Sequence, residues 1–265
     1  MHITGAKFPA VRESRQPGDA AQERMMSRRG EPLFVAGWRR VLMMHFEVEA
    51  DSLQRDVPYQ LDLHEGRAFV SLVAFTMRGM RPRFGGRLMA GLFRPVATHD
   101  FLNVRTYVTH EGEPGIHFLA EWLTNRLAVM LGPFTFGLPY RYGQIAYNFT
   151  LPRGQLQGRV ADPENRAELV FRASLIEPVC FQPATAGSLS EWLMERYTAF
   201  NCAGGRRRYF RVWHPPWLQC FAKVTVDAVS LLSRQWPWFE ESRVADANYS
   251  PGFEQVSMGR PHRIN

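Results

Sequence analysis

From Leu33 onward, apolar and polar residues alternate along the chain with a period of two, which is typical of β-strands. Residues 67–77 are instead apolar on both faces, as in a central strand that is covered on both sides. Turn-forming residues at 110–115 indicate a hairpin between two of the strands. Together these patterns predict strands over residues 41–48, 67–77, 101–109, 115–123, 144–151 and 168–176.

Helical patterns are few. Ser188 followed by Glu191 forms a capping-box pattern, and apolar residues continue at helical spacing, so we expect a helix over residues 188–200 that ends at the glycine pair 204–205. A shorter helix is predicted over residues 125–131. Many strands, few helices and no regular alternation of strand and helix favour a β-rich α+β fold, with a closed sheet or barrel and a few external helices.

The domain organisation follows from where apolar residues are concentrated. Residues 1–32 mix arginines with acidic residues and prolines, so we expect a disordered tail there and a single domain over residues 33–265. A secretory signal needs roughly 7–15 consecutive apolar residues and a spanning helix about 20. Neither pattern occurs, and the three cysteines form no C-x-x-C pair, so we expect a cytoplasmic protein with no membrane partner. The sequence leaves a homo-oligomer open.

The net charge of +7 is concentrated in two segments. Residues 66–99 and residues 196–226 each contain six basic residues and no acidic residue. Arginines interleaved with aromatic residues at 206–211 would suit a nucleic acid, but no known recognition motif accompanies them, so we do not favour that interpretation. The arginines would otherwise hold a carboxylate or phosphate through paired hydrogen bonds, or dock on an acidic partner.

Candidate chemistry lies on two neighbouring predicted strands. Asn103, Arg105 and Tyr107 share one face of the first strand, and His117 and Glu121 share one face of the second. If both faces point into a closed sheet, they form the polar floor of an apolar cavity, which is the usual composition of a small-ligand site. If the faces point outward, they meet solvent. No phosphate-binding loop, metal-ligand spacing or serine-nucleophile motif occurs, so we predict no metal and no cofactor.

Two strings of residues carry a family resemblance. They are N-V-R-T-Y-V over residues 103–108 and L-P-Y over residues 138–140. With them the chain, over residues 33–262, resembles the uncharacterised YqjF-like bacterial family, which is placed in the acetoacetate decarboxylase-like superfamily. This resemblance implies a barrel-like closed sheet around a pocket, with helices outside.

The resemblance also implies a chemistry that this chain lacks. In the decarboxylases a lysine just after a glycine–aromatic–proline turn forms a Schiff base with a β-keto acid. The turn is present here over residues 137–139, but Tyr140 and Arg141 follow it. A phenol cannot form an imine and an arginine stays protonated, so the protein is not expected to be a lysine-dependent decarboxylase. Relatives often carry a glutamate where this chain has Phe101.

The sequence therefore predicts a small-molecule pocket inside the closed sheet, for an organic acid or a similar metabolite. In this pocket Arg105 or Arg141 would hold a carboxylate, and Tyr140 would donate a hydrogen bond or act as an acid. The side chains that would orient the ligand are Asn103, His117 and Glu121. The alternative is a non-enzymatic interaction module that docks on acidic partners through its arginine-rich surfaces. Whether the protein is an enzyme stays open.

Overall fold

The computed structural model describes residues 17–264, with only the backbone described at Pro17, Pro133 and Phe134. Its strands are β1 (Phe34–Val48), β2 (Gln60–Leu61), β3 (Ala68–Pro82), β4 (His99–His110), β5 (Glu113–Leu123), β6 (Tyr140–Tyr142), β7 (Gln144–Thr150), β8 (Gln155–Asp162), β9 (Ala167–Leu175), β10 (Thr198–Ala203), β11 (Arg206–Trp213), β12 (Cys220–Ala228), β13 (Arg243–Met258) and β14 (His262–Arg263). Its α-helices are α1 (Pro17–Met26), α2 (Ala50–Asp56), α3 (Gly86–Phe93), α4 (Arg126–Thr135), α5 (Leu189–Met194) and α6 (Ser230–Ser233). Short 3-10 helices occupy Arg94–Val96, Leu151–Arg153 and Pro237–Glu241.

All 14 described strands belong to one sheet that returns on itself. The hydrogen-bonded order is β14-β11-β10-β5-β4-β3-β1-β13-β12-β9-β8-β7. In addition β11 pairs with β13, where Val212 lies opposite Met258. This pairing makes a ring of seven strands from β11, β10, β5, β4, β3, β1 and β13. From it extend β12, β9, β8 and β7, while the short strands β2, β6 and β14 pair with β4, β5 and β11. The predicted strand-rich fold with few helices is confirmed.

Alternate residues of the ring strands belong to different cores. Leu42 of β1 belongs to the same buried cluster as Phe171 of β9, so the extension covers the outer face of the ring. Val41 belongs to the cluster inside the ring, together with Phe101. The alternation predicted for the strand over residues 41–48 is therefore confirmed, because strand side chains alternate between the two sides of a sheet.

The predicted helix over residues 188–200 is wrong in its second half. Ser188 caps α5 as expected, its Oγ accepting a hydrogen bond from the Glu191 amide at 3.2 Å, but α5 contains only six residues. The following segment is β10, which bonds to β11 on one side and β5 on the other. Gly204 and Gly205 have φ angles of 57° and 74° and turn this hairpin, as glycine does without steric cost. Pairing with the next strand and with the distant β5 therefore overrides the local helical pattern.

The predicted disorder of residues 1–32 extends too far along the chain. Residues 17–26 form α1, whose Ala21 and Met25 are buried. The Trp213 Nε1 of β11 donates a hydrogen bond to the Gly18 carbonyl oxygen at 3.1 Å. The helix is thus packed on the ring, while residues 1–16 lie outside the described residues. Within residues 17–264, no helix combines the length and apolar character needed to cross a membrane.

Candidate functional site

A cavity of about 250 Å³ lies inside the ring. Residues of β1, β3, β4, β5, β11 and β13 form its walls, and residues of α3 and α4 cover it. Most of the wall is aromatic or aliphatic, and Phe75 and Phe101 stack in it with ring centroids 5.1 Å apart and planes at 4°. An apolar cavity with a few polar groups is the usual form of a small-molecule site.

Three polar side chains form a row across the cavity wall. Asn103 on β4 lies opposite Glu121 on β5, and Glu121 lies opposite Tyr140 on β6. Side chains at facing positions of neighbouring strands stand about 5 Å apart. All three residues line the cavity. The structure therefore brings together three of the six residues predicted from the sequence.

Glu121 is a buried carboxyl group without a counter-ion. Its Oε2 has no hydrogen-bond partner, and no basic side chain forms an ion pair with it, among the residues that the structure describes. Burial raises its pKa well above the usual value, and burial together with the Glu121 charge raises the pKa of Tyr140. These shifts favour the neutral acid, which donates one hydrogen bond and accepts others.

Two further polar residues line the cavity, and sequence reasoning did not include them in the site. Trp38 and His99 lie on either side of Met77, in one row across β1, β3 and β4. Neither the Trp38 Nε1 nor either His99 ring nitrogen has a hydrogen-bond partner within residues 17–264. Burial lowers the pKa of His99 to about 4, so its neutral ring offers one donor and one acceptor. Only the register between these strands reveals that both face the cavity.

Unpaired polar atoms are concentrated at this cavity. Five buried side-chain atoms of its lining residues lack a partner in the described part of the chain: Trp38 Nε1, His99 Nδ1, His99 Nε2, Asn103 Oδ1 and Glu121 Oε2. Each such atom costs about 1–3 kcal/mol. These unpaired atoms do not stabilise the fold, because each is buried without the hydrogen bond that would compensate its loss of water.

Arg105 shares the inner face of β4 with Asn103, but it does not line the cavity. Its side chain is buried, and its Nη2 donates to the Leu193 carbonyl oxygen at 3.3 Å. Tyr107, the next residue on this face, donates to the same oxygen at 3.0 Å. These contacts attach α5 to β4. A pairing of Arg105 with Glu121 is not formed, because Phe118 occupies the position opposite Arg105.

His117 lies on the opposite face of β5 from Glu121, contrary to the prediction that they share a face. Leu119 has no partner in β4, although its neighbours on both sides do, so it forms a β-bulge. An extra residue shifts the alternation by one, which leaves Phe118 inside the ring with Glu121 and turns His117 outward. There the His117 Nδ1 donates to the Phe200 carbonyl oxygen at 2.8 Å.

Arg141 also points away from the cavity, because it follows Tyr140 directly in β6 and adjacent side chains of a strand face opposite sides. Its Nη1 donates to the Gln235 Oε1, and its guanidinium lies 5.3 Å from the centroid of the Trp122 ring. It lines a separate polar cleft beside Asp162. The structure therefore does not place Arg141 with the other predicted site residues.

The histidines His45, His99 and His117, which all lie on ring strands, do not converge on one site. His45 is hydrogen-bonded to Ser71 beneath α5, and His117 faces out of the ring. No group of three histidine, cysteine, aspartate or glutamate side chains suited to a metal ion is found among the described residues. His99 alone of the three belongs to the cavity.

The helix that covers the cavity is longer than predicted. Asn125 caps α4, its Oδ1 accepting from the Ala128 amide at 2.9 Å, but the helix continues past residue 131 to Thr135. Gly132 lies against the Tyr140 ring, where an added Cβ would stand 2.1 Å from a ring carbon. Glycine at this position therefore allows α4 to approach the polar row.

This chain is similar to known proteins both in sequence and in structure. YqjF of Bacillus subtilis (strain 168), an uncharacterised protein, is 32% identical over 199 residues, which cover 73% of this chain and 78% of YqjF. An acetoacetate decarboxylase-like enzyme from Sphingomonas wittichii RW1 has a similar structure, with a TM-score of 0.59, 16% identity and coverage of 89% of this chain and 94% of that one. The enduracididine biosynthesis enzyme MppR complexed with pyruvate gives a TM-score of 0.60, 13% identity and coverage of 88% and 91%.

These structural likenesses have low sequence identity, so they show the fold alone. The strand-rich ring with its outer helices is the acetoacetate decarboxylase-like fold. Residues 35–254 match the family DUF2071, described as an uncharacterized conserved protein, and this match covers most or all of every ring strand. The family match spans most of this sequence, and the alignment with YqjF covers most of both chains. The chain therefore belongs to the DUF2071 family.

Proposed function

We propose that this protein binds a small, mainly apolar organic molecule inside the ring, with a carbonyl or carboxylic acid group of that molecule placed against Glu121 and Asn103. The observation that carries the proposal is the convergence of five unpaired buried polar atoms on one apolar cavity. Apolar walls would supply most of the affinity through burial, while the polar atoms would select orientation.

The protonation states of the lining residues define the polar end of the ligand. A neutral Glu121 would donate to a ligand oxygen, and the Asn103 Oδ1 would accept from a ligand hydroxyl. No arginine or lysine belongs to the cavity lining described by the structure. A carboxylate ligand would therefore share the Glu121 proton instead of pairing with a fixed cation, and a keto or hydroxy acid fits both requirements.

Similar proteins support a small keto or hydroxy acid as the ligand class. MppR, which has the same fold, is complexed with pyruvate. In this chain the residue after the turn over 137–139 is Tyr140, and Lys223 is exposed on β12, so neither supplies an amine to the cavity. We propose proton exchange between Glu121 and the ligand, not imine formation, as the chemistry that these residues allow.

Docking of acidic partners or nucleic acid through residues 206–211 is not favoured. This segment belongs to β11 and pairs with β10 and β14. Arg211 forms an ion pair with Glu113, and Arg207 donates to the Pro58 carbonyl oxygen at 2.7 Å. These arginines thus have structural partners.

The three free cysteines fit the proposed cytoplasmic location, because a reducing compartment keeps thiols unpaired.

A calorimetric comparison of Glu121→Met with the wild type tests the proposal. Keto and hydroxy acids with an apolar chain would first be screened for an increase in Tm, and the best of them titrated. Methionine has a similar length but lacks the O–H donor of the carboxyl group, so binding should weaken about 10-fold, which corresponds to one hydrogen bond of about 1.4 kcal/mol. Arg141→Gln, one residue after the polar row but outside the cavity, should bind like the wild type.

Two results would contradict the proposal. One is that no acid, ester or amide small enough for the cavity raises the Tm of the wild type. The other is a ligand that the wild type and Glu121→Met bind with equal affinity, which would place the ligand away from the polar row.

A further inference from the structure

The three most exposed large apolar side chains of the described residues lie close together in the chain. They are Leu88, Leu92 and Phe84, with exposed fractions of 82%, 70% and 59%, and we call them the apolar face. Leu88 and Leu92 are four residues apart on α3 and thus share one side of the helix, and Phe84 precedes its first turn. Isolated exposed leucines are common on proteins, but an exposed cluster marks an interaction site.

The packing of α3 does not require these side chains. No residue of α3 is buried. The inner side of the helix is already used, because Phe93 lines the cavity and its ring lies 5.5 Å from that of Phe34. The apolar face is on the remaining side, so folding of the described chain leaves it in water.

Arginines flank the apolar face. The exposed members of this group, which we call the arginine rim, are Arg78, Arg81, Arg83, Arg87 and Arg94. No acidic residue occurs over residues 66–99. Within residues 17–264 none of these arginines forms an ion pair; Arg81 and Arg83 donate to the carbonyl oxygens of Gly79 and Glu31. Each guanidinium therefore keeps N–H groups that can donate hydrogen bonds to an external anion.

We propose that α3 docks on the surface of an anionic lipid bilayer, with the apolar face in the boundary between headgroups and acyl chains and the arginine rim on the lipid phosphates. A bilayer supplies an apolar layer and a layer of negative charge a few ångströms apart, which matches this arrangement. A second copy of the chain seated symmetrically on the face would bring arginine against arginine and is opposed by charge. Surface docking needs no spanning helix, so the absence of an apolar run in the sequence does not bear on it.

The apolar face lies beside the end of the cavity that the helices cover. α4, the other helix that covers the cavity, also exposes Leu127, Met130 and Leu131, and Leu131 lines the cavity as well. The turn at Arg94–Val96 connects the two regions, because the Asn125 Nδ2 donates to the Pro95 carbonyl oxygen at 2.6 Å. Docking would place the covered end of the cavity beside the bilayer. The proposal does not depend on what the cavity binds.

Vesicle co-sedimentation of the full chain tests this proposal. The probes are vesicles of equal parts phosphatidylglycerol and phosphatidylcholine, and vesicles of phosphatidylcholine alone. We expect the wild type to bind only the anionic vesicles and to release as salt rises, since screening weakens the contribution of the arginines. The double variant Leu88→Ser/Leu92→Ser should bind at least about 10-fold more weakly, because the inserted apolar area is lost.

A matched control separates docking from a general loss of surface apolar residues. Ile176→Ser/Leu218→Ser removes two exposed apolar side chains outside the apolar face and should bind like the wild type. All four positions are exposed, so both double variants should keep the wild-type Tm. The proposal is overturned if the wild type does not sediment with anionic vesicles at low salt, or if Leu88→Ser/Leu92→Ser binds them equally well. It is also overturned if the face proves to hold a second copy, seen as a dimer in analytical ultracentrifugation that this variant abolishes.

Discussion

At the scale of single residues, Glu121 is a buried carboxyl group whose Oε2 has no partner among the described residues. Asp62 pairs with Arg196 at 2.7 Å and Glu113 with Arg211 at 3.1 Å. Glu121 instead faces an apolar cavity and is favoured in its neutral form. A carboxyl in this state contributes to ligand binding as a hydrogen-bond donor, and it makes the stability of the fold depend on pH.

That dependence has a definite sign. Because burial raises the pKa of Glu121 above its usual value of 4.5, the unfolded chain releases this proton at a lower pH than the folded chain does. The stabilising contribution is therefore complete below about pH 4 and declines as the pH rises towards the folded-state pKa. We expect the wild type to lose up to about 1.4 kcal/mol of unfolding free energy per pH unit relative to Glu121→Gln in that window.

Urea denaturation of the two proteins at about pH 5 and about pH 7 measures this difference. Every other titrating group is common to both chains, so the difference between them isolates Glu121. Parallel pH profiles of wild type and Glu121→Gln would show that the carboxyl ionises normally in the folded protein, and the assignment of Glu121 as a proton donor would then be wrong.

At the scale of elements, two local features decide which side chains reach the cavity. The bulge at Leu119 places Glu121 inside the ring and His117 outside, although both lie on the same strand. The approach of α4 at Gly132 covers the polar row from the other side. Each feature depends on a single residue, because a shift at one position of a strand or helix is carried along the rest of that element.

The substitution Gly132→Ala tests the helix contact. The added methyl group would stand 2.1 Å from the Tyr140 ring, so α4 must move, and we expect a loss of about 1–3 kcal/mol in unfolding free energy. Gly91→Ala in α3 is the matched control: that glycine is also helical, and an added Cβ meets no atom within 4 Å. It should be neutral or stabilise by about 0.5–1 kcal/mol through helix propensity. Equal effects of the two substitutions in thermal denaturation would contradict the described contact.

At the scale of the whole molecule, the ring depends on contacts between segments far apart in sequence. The pairing of β11 with β13 closes the sheet, and α1 packs on β11 from the outside. The first helix therefore supports the strand at which the ring closes. In this respect it belongs to the folded domain, although its sequence is as polar and charged as a tail.

Two adjacent methionines of α1 test this role. Met25 is 1% exposed and Met26 is 52% exposed. If α1 is packed as described, Met25→Ala should lower the unfolding free energy by about 2–5 kcal/mol, as expected for a large buried side chain. Met26→Ala should change it by less than about 0.5 kcal/mol. Chemical denaturation of both variants gives the comparison, and a wild-type value for Met25→Ala would show that α1 does not contribute to the fold.

Sequence reasoning was most successful where structure depends on nearest neighbours along the chain. The strand over residues 41–48 and its two faces follow from alternation alone, and Ser188 caps a helix as its pattern predicts. It failed for residues 198–203, whose apolar spacing fits a helix but whose backbone bonds to the following strand β11 and to the distant strand β5. Likewise Trp38 and His99 show no signal of a site, because only strand register places them in the cavity.

By itself, the sequence determined that this protein is rich in strands and that Tyr140, not a lysine, follows the turn over residues 137–139, since alternation and residue identity are properties of the local chain. Only the tertiary structure decided which polar residues meet. One bulge and the alternation within β6 direct His117 and Arg141 away, while Asn103, Glu121 and Tyr140 are aligned across three strands. The physical reason is that a side chain's direction is set by its own strand, whereas its neighbours are set by the pairing of strands far apart in sequence.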